Sequence, residues 1–420
     1  MSIDANLRHV IYALSDALDL VGVDDVAHGK RVGIMAAECG RVEGLAECDT
    51  SFLFDLGMLH DIGVSSTRTH SHLVGKFDWD GSQVHCEVGY ALLKSFEPFR
   101  RMALPVRYHH TRWENLLQTG LPPETQRQAN LTYLVDRVDA LAAPHYADGS
   151  LLLFTDEIRG KISEHAGTYF SPELVELYLE ASRTEAFWLM LEPRAIQAYL
   201  NDLQARCSDY PATAGDLKRL AVIFARIVDA KSPFTAEHSV GVSRLARFLA
   251  ERLGVSAENC EKLEIAGLLH DLGKLRVPDE ILEKPGRLDK RERKIINTHS
   301  YETFQILRNI RGFEEITRWA AYHHEEPDGS GYPFHLKADA MPLEARILRI
   351  ADIFQAMVQT RPYRNGLSDV EVAAFMRELS TAGRVDARIV DVLLAELPAA
   401  RHAACPKFAA LPDDAATGAQ

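Results

Sequence analysis

The feature of this sequence that most restricts its fold is an internal repeat of histidine and aspartate residues. The segment GMLHDIG at 57–63 returns as GLLHDLG at 267–273, a separation of 210 residues. The separation grows to 214 and then to 216 residues further along the chain. It pairs the following residues of the two halves: His28 with His238, His60-Asp61 with His270-Asp271, His85 with His299, His109-His110 with His323-His324, and Asp136 with Asp352. Two tandem copies of one scaffold explain this order more simply than chance does.

The length of the chain also favours two domains. Its 420 residues exceed the roughly 100 to 200 of a single domain. Pro211 and Gly215 interrupt two helical patterns and mark a linker. We therefore expect these segments: an N-terminal domain over 1–206, a linker over 207–215, a C-terminal domain over 216–405 and a flexible tail over 406–420.

Charge and cysteine usage indicate which partners and which compartment suit the chain. The chain has 47 Lys and Arg against 60 Asp and Glu, a net charge of -13, which disfavours nucleic acid polymers and anionic membranes as partners. The six cysteines form no C-x-x-C pair, as expected of reduced thiols in the cytoplasm. No signal peptide and no membrane span is recognisable. We expect a cytoplasmic protein, and a homodimer stays an open alternative.

Hydrophobic periodicity predicts an all-α fold. Apolar residues recur at helical spacing, for example at Leu217, Leu220, Phe224, Ile227 and Val228. Asp289 stands three places before Glu292, and Ser368 three places before Glu371, in the pattern of a helix capping box. No convincing series of alternating strands is present. The chain is therefore expected to form two tandem helical domains.

A histidine followed by an aspartate at the end of an apolar helix carries the chemical signal of the C-terminal half. His270 and Asp271 lie in the stretch AGLLHDLGK at 266–274. Adjacent side chains on a helix point about 100° apart, so both can reach metal ions from one helix end. Imidazole and carboxylate ligands suit divalent cations such as iron, manganese or zinc. A lone pair of this kind is more often an ordinary polar pair, so the interpretation depends on its surroundings.

Those surroundings resemble the HD superfamily of metal-dependent phosphohydrolases and, within it, the HD-GYP group. The resemblance covers roughly residues 215–395. It includes HD-x-GK at 270–274, K-P-G-x-L at 284–288 and HHEEPDGSGYP at 323–333, followed by RPYR at 361–364. So many elements in one order make the match specific.

The resemblance implies two divalent cations per site. It makes seven residues metal ligands: His238, His270, Asp271, His299, His323, His324 and Asp352. In the family pattern Asp271 bridges the cations, the set His238, His270 and Asp352 serves one of them, and the set His299, His323 and His324 serves the other. Two cations about 3.5 to 4 Å apart lower the pKa of a shared water and hold phosphoryl oxygens during in-line attack. Iron or manganese is the expected metal, with magnesium, nickel and zinc as alternatives.

The resemblance also implies catalytic and substrate contacts. Lys274 would lie beside the scissile phosphate and neutralise charge that grows in the transition state, so Lys274 and Asp271 form the expected catalytic pair. Arg361 and Arg364 match family positions that contact substrate phosphate, which a guanidinium can bind through two hydrogen bonds. The ordinary alternative is that these arginines are solvated surface residues.

A glycine-rich turn and one departure from the family pattern refine the site. In the family, the turn that holds Gly331, Tyr332 and Pro333 shapes the substrate pocket, and we expect Tyr332 to be structural. Some family members bind a third metal through a glutamate four residues before the first histidine. That position is Phe234 here, and Glu237 points elsewhere on the helix. We therefore expect two cations in this half and not three.

The N-terminal half retains the whole ligand set: His28, His60, Asp61, His85, His109, His110 and Asp136. Buried histidines and carboxylates are costly without partners, so metal binding is favoured. The lysine position holds Val64, and no Gly-Tyr-Pro follows the histidine doublet, so this half resembles the wider HD superfamily only. Three interpretations stay open: a phosphatase of monoesters such as the linear dinucleotide, a sensory or dimerising module, and an inactive relic.

For the whole chain we expect hydrolysis of a phosphodiester bond in a cyclic dinucleotide, giving a linear dinucleotide and in some cases mononucleotides. Cyclic di-GMP is the usual substrate of the group that the chain resembles, and 3',3'-cyclic GMP-AMP is the main alternative. A protein that binds the nucleotide without cutting it, and a phosphohydrolase of single nucleotides, are the other readings. Replacing His270 and Asp271 by alanine separates an enzyme from a binding protein, because only an enzyme must lose turnover.

Overall fold

The computed structural model describes residues 5–22, 27–75, 77–79, 81–206, 211–231, 237–360 and 365–405. Within these ranges the chain is helical, with a few isolated β-bridges and no named strand, which confirms the all-α expectation. In the same ranges, no helix has both the length and the apolar character needed to cross a bilayer. The expected tail over 406–420 lies outside the described residues.

The N-terminal half contains twelve α-helices among its described residues. They are α1 (Leu7–Asp19), α2 (His28–Glu43), α3 (Glu47–Leu59), α4 (Thr67–Gly75), α5 (Gln83–Leu93), α6 (Arg100–Tyr108), α7 (Trp113–Leu116), α8 (Pro123–Ala142), α9 (Thr155–Glu164), α10 (Pro172–Ala181), α11 (Glu185–Leu189) and α12 (Pro193–Arg206).

The C-terminal half contains ten more in its described part. They are α13 (Ala214–Ala230), α14 (His238–Arg252), α15 (Ala257–Leu269), α16 (Asp279–Leu282), α17 (Lys290–Leu307), α18 (Glu314–Ala321), α19 (Leu343–Val358), α20 (Asp369–Thr381), α21 (Ala387–Ala395) and α22 (Leu397–Ala404).

Contacts divide the chain into two compact units. The N-terminal unit consists of Asn6–Pro211 together with Leu275–Glu280. Of the described residues, the C-terminal unit contains Ala5 and those within 212–274 and 281–405. A short segment directly after Lys274 therefore belongs to the core of the N-terminal unit.

Within the N-terminal unit, Asp279 caps helix α4. Its carboxylate accepts hydrogen bonds from the Ser66 hydroxyl at 2.7 Å and from the Thr67 and Arg68 amides at 3.1 Å each. Helix starts leave amide groups without partners, and a carboxylate placed there satisfies them and interacts well with the helix dipole. Asp279 is buried, so these bonds are shielded from water.

Several helices begin where the sequence predicts. Asp289 and Glu292 form a capping box at the start of α17, and Ser368 and Glu371 form another at the start of α20, which confirms both predictions. The apolar face predicted around Leu217 lies on α13 and is buried.

The expected end of the linker at Gly215 is wrong. Helix α13 begins at Ala214, so Gly215 lies inside its first turn. The reason is a capping box in which Thr213 accepts a hydrogen bond from the Asp216 amide and the Asp216 carboxylate accepts one from the Thr213 amide. A capped first turn tolerates one glycine at a modest cost in helix propensity. Residues 207–210 of the expected linker lie outside the described residues.

Candidate metal centres

Five segments of the C-terminal half bring the seven expected ligands into one cluster. The segments are the start of α14, the end of α15, the middle of α17, the turn after α18 and the middle of α19. They contribute, in this order, His238, His270 with Asp271, His299, His323 with His324, and Asp352. His238 begins a helix, and the His323-His324 doublet follows one. Their side chains therefore lie at helix ends, where the backbone leaves room for a ligand.

The ligand atoms of this cluster fall into three overlapping groups, and within each group they lie within 4.8 Å of one another. The groups are His238 with His270 and Asp352, His299 with His323 and His324, and His270 with Asp271 and His323. Asp271 lies between the two histidine sets, with one oxygen 3.3 Å from His270 Nε2 and the other 3.5 Å from His299 Nε2. This grouping has the same form as the two-cation pattern that the resemblance implies.

Two buried atoms of the cluster have no hydrogen-bond partner among the residues that the structure describes: His270 Nε2 and Asp271 Oδ1. A buried polar atom without a partner costs free energy, so such atoms indicate that something else satisfies them. A divalent cation accepts both an imidazole nitrogen and a carboxylate oxygen. The residues of the C-terminal cluster therefore fit a metal centre.

Backbone hydrogen bonds hold the imidazoles in the coordinating tautomer. The Nδ1 atoms of His270, His299 and His323 lie 2.6 to 2.8 Å from the backbone carbonyl oxygens three residues earlier. A carbonyl oxygen can only accept, so Nδ1 carries the proton and the lone pair is on Nε2. Each Nε2 faces the cluster, and this is the arrangement that orients histidine toward a metal.

The protonation states of the ligands also suit a cation. Burial lowers the pKa of His299 to about 4 and holds the pKa of His323 and His324 well below the usual value, so these imidazoles are neutral. Burial opposes ionisation of Asp271, but the charges of His270 and Lys274 outweigh it and hold the pKa of Asp271 well below its usual range. The Asp271 carboxylate and the imidazoles of His299, His323 and His324 are therefore in the forms that bind metal. His270 differs, because the charge of Asp271 outweighs burial and raises its pKa, so a cation would replace a proton there.

Lys274 lies beside the cluster. Its Nζ is 2.5 Å from Asp271 Oδ2. Burial disfavours the charged ammonium, but Asp271 and Asp352 outweigh it and raise the pKa of Lys274. The Lys274 side chain as a whole is 25% exposed.

Gly273 allows the segment that carries His270 and Asp271 to approach helix α17. A Cβ atom at this position would lie 2.1 Å from the carbonyl oxygen of His299. Gly63 has the same relation to His85 in the N-terminal half, where the distance would be 2.0 Å. In both halves a side chain at this position would push apart two segments that carry ligands.

The glycine-rich turn is irregular backbone that packs against the cluster. Gly329 has φ 86°, and no helix includes the turn. The Tyr332 ring stacks on His324 at 4.8 Å between centroids, and the Tyr332 amide donates to the His324 carbonyl at 3.1 Å. A Cβ atom at Gly331 would lie 2.2 Å from the Glu326 amide nitrogen. Tyr332 thus contacts a histidine of the cluster through both its ring and its backbone.

Two glutamates after the histidine doublet, which were not among the predicted site residues, fix this turn. Glu325 is buried and accepts hydrogen bonds from the amides of Phe334 at 2.6 Å and Leu336 at 2.8 Å. Glu326 accepts from Arg349 at 2.6 Å and from Arg384 at 2.7 and 2.8 Å. We call Glu326, Arg349 and Arg384 the arginine clamp. It joins the turn after α18 to the ligand-bearing helix α19.

The N-terminal half places its seven residues in a second cluster. The closely spaced groups are Asp61 with His85, His109 and His110, and His28 with His60 and Asp61. His85 Nε2 is 3.1 Å from Asp61 Oδ1, and His28 Nε2 is 3.4 Å from Asp136 Oδ1. His60 Nε2 and Asp61 Oδ1 are buried and have no hydrogen-bond partner in the described part of the chain, as in the C-terminal cluster. These residues also fit a metal centre.

The second cluster differs from the first around its aspartates. Val64 is buried where the C-terminal half has Lys274. Arg137 follows the expected ligand Asp136 and donates to its Oδ2 at 2.8 and 3.2 Å, whereas Ile353 follows Asp352. One oxygen of Asp136 is therefore occupied by a buried guanidinium, and Oδ1 remains directed at His28 and His60.

Some expected residues cannot be placed. Arg361, Arg364 and Phe234 lie outside the described residues. Glu237 is described: it is exposed and precedes α14 with φ 67°. The distances from the two arginines to the cluster therefore stay predictions.

Comparison with known proteins identifies a family model and several relatives. The HD domain family model matches residues 222–389. The 3'3'-cGAMP-specific phosphodiesterase 1 of Vibrio cholerae is 37% identical over 398 residues, which are 93% of this chain and 92% of that protein. The cyclic di-GMP phosphodiesterase response regulator RpfG of Xanthomonas campestris is 34% identical over 53% of this chain and 56% of that protein.

A solved structure supports the fold of both halves. The crystal structure of a cyclic GMP-AMP-specific phosphodiesterase of Vibrio cholerae superposes with a TM-score of 0.63 and 25% sequence identity. The match covers 94% of this chain and 98% of that chain. With a relative aligned over almost its whole length and an HD domain match across the C-terminal cluster, the chain belongs to the HD-domain family of phosphodiesterases.

Proposed function

We propose that the C-terminal half hydrolyses a phosphodiester bond of a cyclic dinucleotide and releases a linear dinucleotide. The observation that carries this proposal is the convergence of seven ligand side chains and Lys274 on one cluster. Relatives that align with this half are named as phosphodiesterases of cyclic dinucleotides. The proposed centre holds two divalent cations, since Asp271 lies between two sets of histidines. Iron or manganese is the preferred metal, because imidazole and carboxylate ligands suit both.

Each residue of the proposed centre has a separate role. Bound cations would supply Lewis-acid activation of water at neutral pH and stabilise negative charge on phosphoryl oxygens. Asp271 would help to hold both cations, which its position between the two histidine sets supports, and the backbone-anchored histidines would keep their lone pairs directed inward. Lys274, whose pKa is raised by the neighbouring aspartates despite burial, would neutralise charge on the phosphate as the bond breaks. Tyr332 and the arginine clamp hold the histidine doublet in position.

Among cyclic dinucleotides, we propose 3',3'-cyclic GMP-AMP as the first substrate. The relative that aligns over both halves is named as specific for this nucleotide. Cyclic di-GMP, the expectation from the motif resemblance, is the second candidate, and it is supported by relatives that align with about half of the chain or less. Both candidates present the same phosphodiester groups to the centre, so the bases decide between them.

We also propose that the N-terminal cluster is a second metal centre, which removes a terminal phosphate from the linear product. It combines a set of ligand atoms with orphaned buried atoms, as in the C-terminal cluster. The absence of a lysine at position 64 and of a Gly-Tyr-Pro turn supports a different substrate from that of the other half. The terminal oxygens of a phosphate monoester can contact the cations directly. Such a substrate would therefore depend less on a lysine to neutralise its negative charge.

The test is chromatographic analysis of the products from several cyclic dinucleotides. The full chain is loaded separately with ferrous iron and with manganese, and compared with a His270→Ala and Asp271→Ala variant. We expect cyclic GMP-AMP to be cut faster than cyclic di-GMP, and the variant to lose this cleavage. Cleavage that survives in the variant would contradict the C-terminal assignment.

The same variant tests the N-terminal proposal, because its N-terminal ligands are intact. Supplied with the linear dinucleotide, it is expected to release inorganic phosphate. Adding His60→Ala and Asp61→Ala should abolish that release. If the first variant releases no phosphate from linear dinucleotides or mononucleotides, the monoesterase proposal is wrong.

A further inference from the structure

The two halves hold the first histidine of their ligand sets with different side chains. His28 Nδ1 lies 2.8 Å from Asp139 Oδ2. His238 Nδ1 lies 2.5 Å from Gln355 Oε1. The two partners occupy equivalent positions, each three residues after the aspartate of its ligand set. A carboxylate in one half therefore corresponds to a neutral amide in the other.

Two other pairs of equivalent histidines also have an Nδ1 hydrogen bond in both halves, and in each pair the acceptor is of the same kind. His60 and His270 each contact the backbone carbonyl three residues earlier, at 2.6 and 2.8 Å. His109 and His323 do the same, both at 2.6 Å. Among these three pairs of equivalent histidines, only His28 and His238 have Nδ1 acceptors that differ in charge.

In the N-terminal half, the carboxylate of Asp139 is fixed by further hydrogen bonds. Arg31 donates to its two oxygens at 2.7 and 2.9 Å, and the Tyr146 hydroxyl donates at 2.7 Å. The Arg31 guanidinium lies 4.2 Å from the centre of the Tyr146 ring. Asp139 is completely buried. A buried carboxylate with this many partners stays ionised and keeps its orientation toward His28.

In the C-terminal half, the corresponding space excludes an arginine. The residue equivalent to Arg31 is Gly241. A Cβ atom there would lie 2.2 Å from the carbonyl oxygen of Ala404 in α22, and 3.0 Å from Cγ of Gln355. A carboxylate at position 355 would therefore be buried without the guanidinium that accompanies Asp139, at a high desolvation cost. The neutral amide avoids this cost.

The charge of the partner changes the strength of the histidine as a ligand. Both acceptors hold the proton on Nδ1 and leave the lone pair of Nε2 toward the cluster. A carboxylate partner makes Nε2 more basic and a better ligand, and a neutral amide does so less. We propose that Asp139 and Gln355 set different metal affinities, so that the N-terminal centre retains its His28-bound cation more tightly than the C-terminal centre retains its His238-bound cation. This inference rests on the proposed function of both clusters as metal centres.

Manganese binding to the full chain tests the inference without an activity assay. A His270→Ala and Asp271→Ala background leaves the N-terminal centre intact, and a His60→Ala and Asp61→Ala background leaves the C-terminal one. Titration with Mn²⁺, followed by the paramagnetic resonance of the free ion, gives a dissociation constant for each. We expect the N-terminal centre to bind more tightly than the C-terminal one.

Variants of the partner residue then identify the cause. In the first background, Asp139→Asn should raise the dissociation constant about 10- to 100-fold, as is typical when the partner of a metal-bound histidine is removed. The double change Arg31→Gly and Asp139→Gln reproduces the residues of the C-terminal half and should weaken Mn²⁺ binding by a similar factor. It replaces the Asp139→Asn variant if that variant fails to fold. In the second background, Gln355→Glu should tighten binding.

Two negative results have different meanings. If the N-terminal centre binds Mn²⁺ but a folded Asp139→Asn variant and the double variant bind it within threefold of their parent, the partner inference is wrong. If the parent with an intact N-terminal centre shows no saturable Mn²⁺ binding, the proposed N-terminal metal centre is itself wrong.

Discussion

Lys274 is the residue in which the two halves differ most directly in their chemistry. Its ammonium contacts Asp271 at 2.5 Å, and two aspartates raise its pKa although burial opposes the charge. The corresponding residue of the other half is Val64, which cannot neutralise a phosphate. A charge held at the cluster before substrate arrives needs no reorganisation during the reaction, so its effect on the rate should be large.

Replacing Lys274 by glutamine tests this role. We expect Lys274→Gln to lower kcat for cyclic dinucleotide cleavage by about 100- to 1000-fold, the usual loss when one group that stabilises transition-state charge is removed. Metal content should be retained, because Lys274 is not among the ligands. Lys262→Gln is the control, since Lys262 pairs with Glu258 and Glu315 away from the cluster. A kcat within threefold of the parent would contradict the assigned role.

Glu326 gives the arginine clamp a pH dependence. Burial alone would raise the pKa of Glu326, but the hydrogen bond from Arg384 and the charge of Arg349 lower it from 4.5 to about 2. A carboxyl with a depressed pKa stabilises the folded state fully above about pH 4.5, and this contribution is lost as the pH falls toward 2. The urea midpoint of Glu326→Gln should therefore lie below that of the parent at pH 7. The gap should narrow below about pH 4.5, and a gap that widens there would contradict the clamp.

At the scale of the elements, close contacts between segments decide whether the ligands can converge. Gly273→Ala would place a Cβ atom 2.1 Å from the His299 carbonyl and 2.7 Å from Glu302 Cβ. We expect a loss of about 1 to 3 kcal/mol in the free energy of unfolding and weaker metal binding. Gly215→Ala is the matched control, because its added methyl group within α13 would come no closer than 3.7 Å to a neighbouring atom and should be neutral or stabilising. Equal stability and equal metal affinity of the two variants would show that the close approach does not matter.

The cap on α4 gives a second prediction at this scale. Asp279→Ala removes the acceptor for the Thr67 and Arg68 amides, and should destabilise the start of α4 by about 1 kcal/mol. Hydrogen exchange of these amides should become faster by about fivefold, while Asp279→Asn, which can still accept, restores most of the protection. Glu280→Ala, a change to an exposed neighbour, should leave exchange unchanged. Unaltered exchange in Asp279→Ala would rule out the cap.

At the scale of the whole molecule, the sequence predicts what is written in local patterns. The repeated histidines and aspartates identify the members of both clusters, because metal ligands leave a spacing that recurs between the two halves. The capping boxes at Asp289 and Ser368 were also predictable, since two residues three positions apart define each.

Contacts between distant segments were not predictable in this way. Glu326 meets Arg384 across 58 residues, and Asp279 caps a helix that starts more than 200 residues earlier. Asp139 and Gln355 did carry a signal, since each follows a ligand aspartate by one helical turn, but the equivalence of an acid and an amide emerges only when both touch a histidine. The helix start before Gly215 was missed because the Thr213 cap outweighs the glycine.

The central claim, that the C-terminal cluster is a two-cation centre, is tested most directly by counting its metal ions. Elemental analysis of the full chain carrying His60→Ala and Asp61→Ala, after loading with manganese and removal of free metal, reports on the C-terminal centre. We predict about two ions per chain, falling to about none when His270→Ala and Asp271→Ala are added. A parent that retains no manganese, or that retains three ions, would contradict the account.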